Sequence, residues 1–273
     1  MKEPFFSIVV CSIDPWKFAQ TRACYERLLA GYRHEILGIH DARSLAEGYG
    51  RGLTRACGNI IVFSHDDVLF LDPDFGAKIA ARMADWDLLG FAGATRVTHP
   101  AWFGANWPHL RGAVCHASQL HPMELSLTVF GVDDWPVSGG IHVLDGLCMI
   151  ARREVAERVG FDADTFDGWH LYDCDFSFAA HLAGFRIGVC CDIPYIHASG
   201  SVQTEENVYA SRDYLKYGRR FVEKYAAYGA SMPDAIKAAH ANGCCVRDYG
   251  ALTEMWTEAV FRRTAVVVAR QAA

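Results

Sequence analysis

Residues Ile60 to Val68 read Ile-Ile-Val-Phe-Ser-His-Asp-Asp-Val, a short apolar run that stops at three side chains able to bind a metal ion or a ribose. The run is β-branched and aromatic, follows the turn-like Cys57-Gly58-Asn59, and is too short for a helix. It therefore reads as a strand buried on both faces. Such strands belong to parallel sheets, and open α/β sheets bind ligands at the carboxyl ends of their strands, the end where His65, Asp66 and Asp67 lie. With a side-chain period of two, His65 and Asp67 share one face and Asp66 takes the other, which lets the carboxylates serve different partners. Adjacent carboxylates near a low-dielectric core repel unless a cation or hydrogen-bond donors sit between them. The competing reading is a turn with a helix cap. That role has other candidates, because Asp72-Pro73-Asp74 opens a helix read over Phe75 to Trp86.

Toward the N-terminus, Phe5 to Ile13 is expected as the first strand, with Ser12-Ile13-Asp14-Pro15 as its exit loop. Phe18 to Ala30 reads as a helix and Glu35 to His40 as a second strand ending in Asp41. Ser44 to Ala56 reads as a second helix, weakened by Gly48, Gly50 and Gly52 and closed by Gly58. Strand, helix, strand, helix, strand is the pattern of a nucleotide-binding half with right-handed crossovers. Three strand ends then converge: Asp14, Asp41 and the His-Asp-Asp group. Each Asp taken singly also reads as a cap or an Asx turn.

Toward the C-terminus, Leu88 to Ala94 reads as a fourth strand. Thr95 to Asp134 holds Trp102, Trp107, His109, Arg111, His116 and His121 without clear periodicity, and is expected to be a functional loop or lid. Its tryptophans either stack on a sugar ring or fill core. Asp145 and the flexible Gly146 precede a buried strand that runs to Ile150. Arg152 to Val159 reads as a short helix. Asp173 and Asp175 stand at the start of a helix running to about Ala183, where one carboxylate is enough for a cap. Arg186 to Cys191 reads as a further strand. His197 follows an apolar residue, a setting typical of a structural histidine.

The whole chain bounds the rest. At 273 residues it buries roughly three quarters of its unfolded surface, enough for one large core or two small ones. A net charge of −6, a pI near 6.0 and scattered basic residues exclude a nucleic-acid partner. No apolar run reaches the ~18 residues that span a bilayer, and Phe5 to Ile13 lacks the flanks of a signal peptide. The expected location is cytoplasmic. Ten cysteines without C-x-x-C spacing, most of them in apolar runs, fit core residues in a reducing compartment rather than a zinc ribbon.

The ordered set Ser-Leu-Ala-Glu-Gly-Tyr-Gly-Arg-Gly-Leu (Ser44 to Leu53), Phe-Ser-His-Asp-Asp-Val, Leu-Asp-Gly-Leu-Cys-Met, and Tyr-Asp-Cys-Asp-Phe-Ser followed by Asp-Ile-Pro-Tyr-Ile-His-Ala-Ser resembles the inverting GT-A glycosyltransferases of the family 2 type. The match covers about Phe5 to Ser201. The resemblance implies a Rossmann-like α/β fold, mostly parallel, with a C-terminal helical appendage. Its division is a catalytic domain over 1–203, with a nucleotide-binding half to about 94 and an acceptor half to 203, and an extension over 204–273. It implies a nucleotide-diphosphate sugar donor, a UDP-sugar, a divalent Mn²⁺ or Mg²⁺, and a saccharide or lipid-linked acceptor.

The same resemblance assigns roles. Asp67 stands for the metal ligand of the family's D-x-D, with Asp66 beside it, and His65 departs from the Asp that often contacts the ribose. His65 and His197 are the further metal candidates. Asp41 contacts uracil or ribose, the Ser12 and Asp14 loop flanks the base, and Asp145 and Gly146 lie before the donor sugar. Asp173 matches the catalytic base, with Asp175 its competitor. A leaving diphosphate needs its developing charge neutralised by a hard cation on one or two carboxylates, and an acceptor hydroxyl needs a carboxylate base opposite the leaving group.

Beyond Ser201, helices are read over Glu205 to Tyr228, Pro233 to Ala241 and Leu252 to Arg270. The last is amphipathic, with Arg262-Arg263, and is expected to pack on the catalytic domain or on a homodimer partner. The alternative is a peripheral position on the inner membrane face, near a lipid-linked acceptor. A sugar-nucleotide nucleotidylyltransferase is disfavoured because Cys11 to Pro15 contains no glycine for a phosphate loop. A non-catalytic nucleotide-sugar-binding module is the rival of a different class, and the atypical His65 is its only support.

Overall fold

The computed structural model describes residues 3–117, 125–198, 211–229, 243–246 and 256. The chain opens with β1 (Phe5–Cys11), α1 (Pro15–Leu28), β2 (Arg33–Ile39), α2 (Leu45–Arg55) and β3 (Ile60–Ser64), the expected βαβαβ unit. β1 lies between β2 and β3 and is parallel to both, so the exit loops of all three strands meet at one sheet edge. α1 starts three residues earlier than the periodicity indicates. Pro15 supplies a first-turn residue, and the Asp14 side chain accepts from the Trp16 and Lys17 amides.

Two of the three glycines of α2 have a packing role. A Cβ on Gly52 would stand 2.2 Å from Val9 and one on Gly48 2.4 Å from Cys11 Sγ, so their absence lets the helix lie close on β1. Ser44 caps this helix by accepting from the Glu47 amide at 3.0 Å.

The chain continues through β4 (Val68–Phe70), α3 (Phe75–Arg82), β5 (Leu88–Gly90), β6 (Ala92–Ala94), β7 (Leu110–Ala117), β8 (Leu125–Gly131), β9 (Val137–Ser138), β10 (Val143–Leu144) and β11 (Cys148–Arg152). Then come α4 (Arg153–Val159), α5 (Tyr172–Leu182), β12 (Ile187–Cys190), β13 (Tyr195–His197), α6 (Arg212–Lys224) and β14 (Gly243–Val246). The first sheet has the order β2-β1-β3-β11-β5-β12-β9, with β11 and β9 antiparallel to their neighbours. The second has the order β10-β6-β7-β13-β4, extended by β8 on β7 and β14 on β8. This is a Rossmann-like α/β fold with a second sheet placed across the carboxyl edge of the first.

Two readings need correction. Leu88 to Ala94 is two strands in different sheets, separated at the fully buried Phe91. Gly90 and Gly93 permit the crossing, since a Cβ there would meet the Leu144 side chain at 2.7 Å and the Val143 carbonyl at 2.3 Å. Thr95 to Asp134 is not one irregular lid: it contains β7 and β8, paired antiparallel. A register shift at Gly112, whose φ is +95°, breaks the period of two that would have revealed them.

At the C-terminal side, α6 buries Tyr214, Tyr217 and Phe221 against the body of the fold. β14 lies where no element was expected. The helix read over Pro233 to Ala241 lies outside the described residues, as does that over Leu252 to Arg270 apart from Trp256. Trp256 is buried, donates its indole N–H to the Cys191 carbonyl at 2.9 Å and packs on the Tyr195 ring. No helix among the described residues is long and apolar enough to cross a membrane.

Candidate active site

At the end of β3 the chain alternates as a strand does. Asp66 turns toward β1 and accepts from Ser12 Oγ at 2.6 Å, while its carbonyl accepts from Thr21 Oγ1 at 2.7 Å. His65 and Asp67 turn the other way, where β13 delivers His197 opposite Val68 of β4 and His116 of β7. His197 Nε2 lies 3.3 Å and His65 Nδ1 4.0 Å from Asp67 Oδ1. One ligand atom from each of these three residues falls within 4.8 Å of the others. Asp67 Oδ1 is buried and completes no hydrogen bond.

Burial pushes the Asp67 carboxyl up, but the close approach and charge of His197, with His65, more than offset it and hold it below the usual range. His65 is held down by burial and by the neighbouring His197, which favours a neutral imidazole. One carboxylate and two imidazoles around an orphaned buried oxygen fit a divalent cation.

A cavity of about 370 Å³ opens beside this cluster, lined by Cys11, Ser12, Ile39, Leu45, Asp66 and Trp169 among others. Its apolar walls come from the ends of β1 and β2 and the start of α2, and its polar end from Asp66 and Asp67. Neither Asp14 nor Asp41 lines it. The Asp14 carboxylate is engaged in capping α1, and the exposed Asp41 pairs with Arg51 at 2.8 Å, which lowers its pKa.

A second cavity, about 230 Å³, shares His65 and Trp169 with the first and is lined also by Trp102, Asp145, Gly146, Tyr172, Asp173 and His197. Asp145 is fixed by Trp102 Nε1 at 2.8 Å and the Leu147 amide at 2.9 Å. The Asp173 carboxyl is pushed up to about 7, by burial first and then by the charge of Asp145, against the pull of backbone N–H groups that include Gly146 at 2.8 Å. Neither Asp173 nor Asp175 caps α5. The N-cap is Leu171, in the left-handed region at φ +63° and with no side-chain cap bond.

Asp175 faces away from both cavities. It is 2% exposed, ion-paired with Lys224 Nζ of α6 at 2.7 Å, and accepts from Tyr225 Oη at 2.7 Å.

The structure thus brings together Ser12, His65, Asp66, Asp67, Asp145, Gly146, Asp173 and His197, and leaves Asp14, Asp41 and Asp175 outside. Three contributors went unassigned in the sequence: Trp169, half exposed between the cavities; Trp102, whose role was open; and Tyr172, between His65 and Gly146. His116 joins them with its ring 5.5 Å from that of His197. Of these, only Trp102 and His116 lie in the aromatic- and histidine-rich segment Thr95 to Asp134.

A family model described as the glycosyltransferase-like family matches residues 7–225. No curated protein matches the sequence. Among solved structures, a mannosyltransferase from Pyrobaculum calidifontis in complex with GDP-Man and Mn²⁺ is similar at 13% identity and TM-score 0.46, over 85% of this chain and 77% of that one. S. aureus TarS in complex with UDP-GlcNAc is similar at 14% identity and TM-score 0.46, over 84% and 68%. A Drosophila beta-1,4-galactosyltransferase 7 variant in complex with manganese, UDP-Gal and xylobiose is similar at 12% identity and TM-score 0.46, over 78% and 79%.

Proposed function

Because the chain belongs to the glycosyltransferase-like family, we propose that it is a metal-dependent inverting transferase that moves a sugar from a nucleotide-diphosphate donor, a UDP-sugar, to an acceptor hydroxyl. The observation that carries this reading is the pair of cavities sharing His65 and Trp169, with the His65, Asp67, His197 cluster on their common wall and Asp173 in the second. The first has the size and apolar walls for a nucleoside, with Asp66 and Ser12 at its polar end.

His65, Asp67 and His197 would hold the cation, and two imidazoles beside one carboxylate suit Mn²⁺ better than Mg²⁺. When bound, such an ion supplies positive charge to the leaving diphosphate. Asp173 accepts the proton of the acceptor hydroxyl. The freed oxygen forms the new bond to the anomeric carbon as the bond to the phosphate oxygen breaks, and that electron pair leaves with the nucleoside diphosphate. A base with a pKa near the working pH is suited to this transfer. Asp145, fixed by Trp102, both raises Asp173 and offers an acceptor to a sugar hydroxyl. Asp175 is left to anchor α6.

Calorimetric titration of UDP with and without Mn²⁺ tests the reading. Metal-dependent binding that disappears in Asp67→Ala is the expected result. No binding by the folded wild-type protein in either condition would remove the UDP assignment.

A further inference from the structure

The sequence motif around Tyr172 holds a hydroxyl that neither the cation site nor the base absorbs. His65 Nε2 lies 2.7 Å from Tyr172 Oη, which donates to the Gly146 carbonyl oxygen at 3.2 Å. The arrangement has little freedom. The His65 amide is tied to the Leu147 carbonyl at 3.0 Å, and the Tyr172 ring is 3% exposed beneath Tyr49 and Phe161. A Cβ on Gly146 would meet Tyr172 Oη at 2.3 Å, so only glycine leaves room for the hydroxyl.

A carbonyl oxygen only accepts, and a phenol has one proton. With that proton given to Gly146, Tyr172 Oη presents lone pairs to His65, and Nε2 must carry the imidazole proton. Nδ1 then keeps its lone pair on the side of Asp67, whose Oδ1 is 4.0 Å away, too far to accept a hydrogen bond from it.

We propose that Tyr172 is a positioning residue that holds His65 in the Nε2–H tautomer and so fixes Nδ1 as the nitrogen offered to a divalent cation. The Nδ1 role rests on the cation reading of the site above, whereas the tautomer does not. Through Gly146 the same hydroxyl is tied to the loop whose amide holds Asp173 Oδ2. An outer partner of this kind orients a metal-binding imidazole and raises its basicity.

The test uses metal-free, ¹⁵N-histidine-labelled full chain, with His65 assigned by its loss in His65→Gln. Long-range ¹H–¹⁵N correlation should show Nε2 protonated and Nδ1 bare. Tyr172→Phe, folded by circular dichroism, should lose this preference, and its calorimetric Mn²⁺ affinity should fall by about 10–100-fold. A proton on Nδ1 in the wild type overturns the proposal without any variant. Unchanged tautomer and affinity in folded Tyr172→Phe overturn it as well. Wild-type protein that carries the Nε2 proton but binds no Mn²⁺ supports the tautomer assignment and overturns the cation reading instead.

Discussion

Asp66-Asp67 at the end of β3 and Asp173-Cys174-Asp175 at the start of α5 solve one problem in opposite ways. In each pair one carboxylate is held by side chains of neighbouring elements and the other is not. The Asp66 carboxylate is tied to Ser12, and that of Asp175 to Lys224 and Tyr225. Strand geometry separates neighbours i and i+1 onto two faces, and helix geometry does much the same for i and i+2. The other members, Asp67 and Asp173, then diverge because of their company. Asp67 stands among imidazoles and is held below the usual range, while Asp173 stands beside Asp145 and is pushed up to about 7. The first is prepared to stay an anion and the second to take a proton.

The sharpest way to break this contrast is Asp173→Asn. Turnover should fall by about 10²–10⁴-fold, the usual contribution of a general base, with UDP binding largely kept in calorimetry. An active Asp173→Asn with a dead but folded Asp175→Asn would reassign the base. Asp67→Ala should lower Mn²⁺ affinity by more than the roughly 10–100-fold typical of losing an outer partner, leaving metal-free nucleotide binding near the wild-type level.

Asp175→Ala should act on stability instead. Loss of a buried pair costs about 3 kcal/mol, the low end of the range because Lys224 keeps part of its solvent and its contact with Asp162; urea unfolding measures it. The last effect is a pH dependence of stability. An Asp173 pKa raised on folding means that ionising it destabilises the native state. The penalty is absent below the ordinary Asp value of about 4, grows as pH rises, and is complete above about 7. The gain in Tm of Asp173→Asn over wild type should follow that course, and a gain that is constant with pH would sink it.

The parallel half was legible because its strands are continuous apolar runs with helices between them, and the strand period alone separates Asp66 from Asp67. The second sheet was not. β4, β6 and β13 are three residues long, too short for a period, and β7 hides its alternation behind the bulge at Gly112. Asp14 and Asp41 stand at the right sheet edge, yet local geometry claims them, a helix cap for one and Arg51 for the other. Which of Asp173 and Asp175 meets the cavity depends on Lys224 and Tyr225, some 50 residues away. The Tyr172 contact to His65 spans 107 residues and has no local signature at all.

The central claim, that Asp67 is kept an anion while Asp173 is prepared to take a proton, is most directly tested by ¹³C NMR titration of the aspartate carboxyls in the metal-free protein, with Asp67→Asn and Asp173→Asn as assignments. Asp173 should titrate near 7 and Asp67 below the ordinary aspartate range. Both titrating together near the ordinary value would contradict it.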